Sequence, residues 1–271
     1  MMGILNVTPD SFSDGNLFLS PQKALARAEQ MIAEGADIID VGGESTRPGG
    51  AAIVSPDDEL NRVLPVIAQL AKRSTIPISI DTTKSLVARA ALDAGAAIVN
   101  DISALRFDSQ IADEVAKAGA GLVLMHSRGT PGSLHGLPPV ADIIKEVTNS
   151  LRSSIALAEQ RGVKRESIVI DPGIGFGKSQ EQNIELIAKL DQLIAAFPAF
   201  PLLIGTSRKS FIGRILADEN GNLAPVEERL HGSMASLTAA VLKGAHIVRV
   251  HDVKAAVETA RIAEEIKRFG V

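Results

Sequence analysis

Eight apolar runs in this chain each end on a residue that can do chemistry. In order they are Asn6, then Asp40 with Thr46 and Arg47 just beyond, Asp81, Asn100 with Asp101, His126, Asp171, Ser207 with Arg208 and Lys209, and Arg249 with His251. Carboxylates and carboxamides exchange hydrogen bonds with a polar ligand, and Arg, Lys and His supply local positive charge for an anionic one. Taken singly, any Ser, Thr, Asp or Asn at such a place also suits the N-cap of a following helix. Arg249, His251 and Lys209 are poor caps. A scaffold needing only solubility would not put an amide, acid or base at every such exit, so the set points to a ligand-binding, catalytic rim.

The runs themselves are buried strands. Four times a Gly-Ala pair precedes one: Gly35-Ala36 before Ile38-Ile39-Asp40, Gly95-Ala96 before Ile98-Val99-Asn100, Gly119-Ala120 before Leu122-Val123-Leu124, and Gly244-Ala245 before Ile247-Val248-Arg249. Gly suits the left-handed residue that closes a helix, and a continuous Val/Ile/Leu run suits a parallel strand covered on both faces. Further runs lie at Gly3–Val7, Pro77–Asp81, Ile168–Asp171 and Pro201–Gly205. Eight strands alternating with helices over this length predict one α/β domain, residues 1–271, folded as a (β/α)₈ TIM barrel with its site at the C-terminal strand ends.

Punctuation places the helices. Ser20-Pro21 opens a stripe of Ala24, Leu25, Ala28, Met31 and Ile32, predicting a helix over 21–34, and Ser55-Pro56 repeats the device. Ser179 caps a stretch through Leu190, Ser207 opens a helical segment from Arg208 to Leu216, and the last two helices are predicted over Glu227–Leu242 and Val253–Phe269. Three connections, Thr8–Ser20, Ser45–Ser55 and Ser127–Pro139, exceed tight turns and are expected to contact ligand.

Composition excludes several chemistries. With no Cys there are no thiol nucleophiles, disulfides, zinc-thiolate sites or iron–sulfur clusters. With no Trp or Tyr, a flat ligand must rest on Phe, Met, Arg or backbone. A formal net charge of −4 with dispersed Lys and Arg argues against nucleic acid or an anionic membrane as partner. No run is long enough to span a membrane, and the start leads into the first strand without a basic leader, so a cytoplasmic protein is expected.

Longer segments carry a specific resemblance. Gly3-Ile4-Leu5-Asn6-Val7-Thr8-Pro9-Asp10-Ser11-Phe12-Ser13-Asp14-Gly15 and Asp40-Val41-Gly42-Gly43-Glu44-Ser45-Thr46-Arg47-Pro48-Gly49 resemble the first two signatures of the dihydropteroate synthase family. Asp171–Lys178, Gly205-Thr206-Ser207-Arg208-Lys209-Ser210 and Arg249-Val250-His251-Asp252-Val253 are similar to its later motifs, in the family's order. The resemblance implies a barrel that joins 6-hydroxymethyl-7,8-dihydropterin diphosphate to p-aminobenzoate, releasing pyrophosphate.

It also implies roles. Asp171 and Asn100 would read the aminopyrimidinone edge of the pterin, Asp81 would reach the other side of the bicycle, and Lys209 would donate to its oxygen or ring nitrogen. Met125 would pack beside the pterin, and Arg249 would lie between pterin and phosphate. Asn6 would contact Mg²⁺ on the diphosphate, with Thr46, Arg47, Arg249 and His251 as phosphate donors. Thr46, Pro48, Phe176, Gly205, Ser207 and Lys209 would line the substrate pockets, chiefly that of p-aminobenzoate. A dissociative displacement needs stabilisation of the leaving oxygens more than a base. A homodimer is expected from the family alone. His126 is expected behind the site, His135 and His231 at the surface, and His246 at the opposite end of the barrel. Asn16, Ser127-Arg128 and Leu134-His135 depart from the family pattern in loops. Two alternatives stand beside this reading: a folate-binding methyltransferase barrel, which does not need Asn6 together with Ser207-Arg208-Lys209, and a noncatalytic pterin-binding paralogue, which should have lost part of the diphosphate set.

Overall fold

The structure, a computed structural model, describes residues 1–8, 21–45, 54–130 and 137–270. The apolar runs form β1 (Met2–Asn6), β2 (Ile38–Gly42), β3 (Ile78–Asp81), β4 (Ile98–Asp101), β5 (Gly121–Met125), β6 (Ile168–Asp171), β7 (Leu203–Ile204) and β8 (Ile247–Val250). They pair in parallel in the order β6-β5-β4-β3-β2-β1-β8-β7. A parallel bridge between Ile170 and Leu202 sets β6 beside β7 and completes the ring. The fold is the expected (β/α)₈ barrel.

Strand alternation decides what faces the barrel axis, because residues two apart share a face. Met2, Ile38, Ile98, Val123, Val169, Leu203 and Ile247 pack together as a plug separate from the main core. Two residues beyond the plug residues stand Ile4, Asp40, Asn100, Met125, Asp171, Gly205 and Arg249, four of them polar or charged. An apolar layer therefore floors the one that carries Asp40, Asn100, Asp171 and Arg249. The other strand face packs against the helices in one continuous core that includes Leu5, Ile39, Val41, Ile80, Val99, Leu122 and Leu124.

The helices are α1 (Pro21–Ala33), α2 (Pro56–Arg73), α3 (Ser85–Asp93), α4 (Ile111–Ala118), α5 (Ile143–Gln160), α6 (Gln180–Ala188), α7 (Leu190–Ala196), α8 (Ser210–Ile215), α9 (Leu230–Leu242) and α10 (Val253–Arg268). Ser55 caps α2 by accepting from the Asp58 N–H, with Pro56 in its first turn, and Ser179 and Gln182 make a reciprocal capping box on α6. The four Gly of the Gly-Ala pairs all have positive φ, from 64° to 113°.

Four expectations need correction. Ser207 does not open a helix: Arg208 takes a left-handed φ of 60°, and α8 begins only at Ser210. The stretch capped by Ser179 breaks at Lys189 into α6 and α7. The helix expected over 227–242 starts as a 3₁₀ turn, Val226–Arg229. β7 is shorter than the apolar run, because Pro201 has no N–H to pair and Leu202 makes only its single bridge. The expected caps and loop contacts within 9–20, 46–53 and 131–136 lie outside the described residues, Thr46, Arg47, Pro48 and His135 among them.

Candidate active site

At the C-terminal mouth, Arg249 from β8 reaches across the barrel. Its Nε donates to Asp40 Oδ2 at 2.6 Å and its NH2 donates to Asp81 Oδ2 at 2.5 Å. Asn100 Nδ2 donates to the same Asp40 oxygen at 3.1 Å. Burial works against the guanidinium charge, but Asp40 and Asp81 outweigh it and hold the Arg249 pKa above its ordinary value. Burial lifts Asp81 to about 7; Arg249 opposes this, while Asp40 and Glu59 add to it. Asn6 and Asp81 flank Gly42, where a Cβ would lie 3.5 Å from the Asp81 Cβ and 3.7 Å from Asn6 Oδ1. The bare glycine keeps the space between them open.

On the opposite wall Asp171 ends β6. Its Oδ1 accepts from the Gly173 N–H at 2.7 Å, and burial lifts its pKa to about 6 against that bond and the nearby Lys209, Arg249 and Lys178. The following turn lies hard against β5. A Cβ on Gly173 would fall 1.9 Å from the His126 carbonyl oxygen, so only glycine fits there. Lys178 staples the turn by donating to the carbonyls of Gly173 (2.8 Å), Phe176 (3.1 Å) and His126 (3.2 Å). Phe176 packs with Met125 and Ile102, with half-buried Phe107 beside them. Lys209 Nζ stands 4.3 Å from the centre of the Phe176 ring, a cation–π contact. Burial lowers Lys209 to about 8, with Arg249 repelling and Asp171 and Asp81 attracting its charge.

Between β7 and β8 the strained Arg208 is the organiser. A left-handed non-glycine residue costs about 1–3 kcal/mol and persists only when its surroundings over-determine it. Here Asp252 takes Nε at 2.9 Å and NH2 at 2.5 Å, Ser233 Oγ accepts the backbone N–H at 2.9 Å, and Arg229 NH1 donates to the carbonyl at 3.1 Å. This holds Ser207 against β8, where its Oγ accepts from the His251 N–H at 3.2 Å and lies 3.1 Å from His251 Nδ1. Ser207 thus supports His251 in place of capping a helix. Gly205 leaves room beside Arg249, whose Cβ would be 3.8 Å from a Cβ on it.

Of the expected set, Asn6, Asp81, Asn100, Met125, Asp171, Phe176, Gly205, Ser207, Lys209, Arg249 and His251 all lie in the described mouth region. Residues to which the sequence assigns no role of their own also prove central. Asp40 reads in the sequence only as a strand end, yet it anchors both Asn100 and Arg249; its position two residues after Ile38 is the available signal. Lys178, Arg208 and Asp252 act through backbone carbonyls and a long-range pair that no spacing reveals. Lys84 joins Glu44 (2.5 Å) and the enclosed Glu59 (2.6 Å) behind the β2 exit. His126 does lie behind the site: it is 1% exposed, and burial with Lys178, Arg106 and Arg128 nearby presses its pKa to about 2. His231 is exposed on α9, and His246 accepts the Leu202 N–H through Nδ1 ahead of β8, away from the mouth.

The sequence profile described as pterin binding enzyme matches residues 2–251. A dihydropteroate synthase from Synechocystis sp. is 47% identical over 268 residues, covering 99% of this chain and 90% of its own length. Among solved structures, a Clostridium difficile dihydropteroate synthase obtained in the presence of pteroic acid superposes with a TM-score of 0.89 at 44% identity, covering 98% of this chain and 95% of that one. One from Xanthomonas albilineans in complex with 7,8-dihydropteroate gives a TM-score of 0.85 at 39% identity, with 98% and 92% covered. Likeness of this extent, in sequence and in backbone alike, leaves one conclusion: the chain belongs to the pterin-binding enzyme family, among its dihydropteroate synthases.

Proposed function

We propose that the mouth of this barrel condenses 6-hydroxymethyl-7,8-dihydropterin diphosphate with p-aminobenzoate to give 7,8-dihydropteroate and pyrophosphate in folate biosynthesis. The observation that carries this is the convergence of Asp171, Asn100 and Lys209 with the Asp40–Arg249–Asp81 ion set above an apolar plug. Asp171 and Asn100 take the aminopyrimidinone edge, Asp81 takes the far side of the bicycle, and Lys209 donates to its oxygen or ring nitrogen. Met125 packs beside the rings. Incubation with both substrates and magnesium, followed by product mass, tests the reading; no dihydropteroate would reject it.

The bond between the pterin methylene carbon and oxygen breaks, its electron pair leaves with pyrophosphate, and the arylamine nitrogen attacks the carbon and loses a proton to solvent. The electron-rich dihydropterin stabilises the cation, so the chain need not supply a dedicated base. It supplies donors for the departing oxygens: Arg249 and His251, with Thr46 and Arg47 assigned beside them. The arylamine pocket comprises Thr46, Pro48, Phe176, Ser207 and Lys209. Among the described residues no three His, Asp or Glu gather to hold a metal by themselves. A half-buried amide oxygen, Asn6 Oδ1, beside the mouth fits a Mg²⁺ whose other ligands are diphosphate and water oxygens. Such an ion would neutralise charge on the leaving group.

Two outcomes are expected. Ligand N–H groups need the ionised Asp171 carboxylate, so protonation competes with binding. The part of the pterin affinity that depends on Asp171, measured by calorimetry as the difference from Asp171→Asn, should be level above pH about 6 and fall by about tenfold per pH unit below it. An affinity unchanged down to pH about 5 would remove Asp171 from the site. Secondly, with its pocket partly on residues 46–48, p-aminobenzoate should bind measurably only when pterin and pyrophosphate already occupy the barrel. Equal binding to the empty protein would contradict this order.

We read the chain as one cytoplasmic domain, with small molecules as its ligands and a second copy as its partner. No described helix is long and apolar enough to cross a membrane. On α10, Ile262 (66% exposed) and Ile266 (45%) share a face at helical spacing, with Phe269 (87%) just beyond. Light scattering should find a dimer that Ile262→Asp shifts toward monomer; a monomeric parent protein would refute it.

A further inference from the structure

Asp40 is enclosed completely, with 0% of its surface exposed, yet one of its oxygens holds two groups assigned to the ligand. Oδ2 accepts from Asn100 Nδ2 at 3.1 Å and from Arg249 Nε at 2.6 Å. Oδ1 is buried without a hydrogen-bond partner among the described residues. The carboxylate thus concentrates its contacts on the pair above it.

An ionised carboxylate only accepts hydrogen bonds, whereas an amide has a donating and an accepting end. Asp40 therefore admits only the amino end of Asn100 and turns Asn100 Oδ1 away from itself. Its charge fixes Arg249 in the same way. With Nε committed to Asp40 and NH2 to Asp81, the guanidinium plane is set by β2 and β3, while NH1 stays outside this ion set. We propose that Asp40 is the positioning residue that sets the polarity of pterin recognition, making Asn100 offer its oxygen to ligand N–H groups and holding Arg249 in register. The inference rests on the reading of Asn100 as a pterin contact and deepens it.

Reversing the pair tests the polarity directly. Asn100→Asp sets carboxylate against carboxylate. Adding Asp40→Asn restores one donor facing one acceptor and leaves an oxygen for the ligand; because Asn100 Nδ2 and Arg249 Nε share Asp40 Oδ2, an amide nitrogen at that place gives up the Arg249 bond, so the recovery is partial. Calorimetry with 6-hydroxymethylpterin should show Asn100→Asp weakening binding by about a hundredfold, and the double variant recovering at least about tenfold of it. Asp40→Asn alone should weaken pterin binding by about tenfold or more, with the KM for p-aminobenzoate at saturating pterin changing less than about threefold. A general loss of packing would not produce that split. A double variant no tighter than Asn100→Asp overturns the proposal, and this comparison stands even where Asp40→Asn alone fails to fold. Asn100→Ala separates the two claims. Unchanged pterin binding there rejects the Asn100 contact and this inference with it, while lost binding without recovery in the double variant rejects the polarity alone.

Discussion

Asp171→Ala is expected to lower pterin affinity by about two orders of magnitude or more while leaving the barrel folded. The carboxylate is 5% exposed, ends β6, and accepts only from the Gly173 N–H within its own turn among the bonds described. Its removal strands the ligand's N–H donors against an apolar wall, and a hydrogen bond to a charged group contributes about 1.5–3 kcal/mol. Losing a paired contact therefore costs about 3 kcal/mol or more, which is roughly a hundredfold or more in affinity. Stability should change little, because Lys178 still staples the turn through the carbonyls of Gly173, Phe176 and His126. Calorimetry on a variant with a native melting profile makes the comparison. Unchanged affinity would mean that the pterin edge is read elsewhere.

His251→Ala should instead act on turnover. His251 follows β8, two residues beyond Arg249, with Nδ1 beside Ser207 Oγ at 3.1 Å. If both side chains meet the pyrophosphate, their contribution grows as charge develops on the departing oxygen. Loss of one such donor typically slows the chemical step by about 10²–10³-fold. Affinity for a neutral pterin lacking the diphosphate should change less than about threefold, since nothing in that ligand engages the imidazole. Single-turnover rates with p-aminobenzoate analogues of graded nucleophilicity complete the test. Under dissociative departure those rates are similar, and the His251 change lowers all of them. A steep dependence on the amine, with no effect of the His251 change, would mean that attack drives departure and that β8 merely holds substrate.

Much of this molecule follows from near neighbours along the chain. The four Gly-Ala pairs mark helix ends whose glycines do take positive φ, and Ser55-Pro56 and Ser179 do cap their helices. Strand alternation orders the mouth as well: Ile98 before Asn100, Val169 before Asp171 and Ile247 before Arg249 each place an apolar plug residue beneath a polar one. Such features depend on local dihedral preference and on the two-residue repeat of a strand, so they can be read without knowing what lies across the barrel.

What the chain could not disclose is who pairs with whom. Arg249 meets Asp40 and Asp81 across separations of 209 and 168 residues, and that choice depends on strand tilt and register around a closed ring. Ser207 looked like a helix start because Ser is a good N-cap, but the distant Asp252, Ser233 and Arg229 hold Arg208 left-handed and turn Ser207 toward His251. Lys178 was invisible for a different reason: its acceptors are carbonyls, which every residue carries. Composition and spacing determined the barrel and its polar rim, while the family resemblance rested on the motif residues themselves. Only the closed barrel decided which buried charges neutralise one another, because burial makes an unpaired charge so costly that the partners set each side chain's direction.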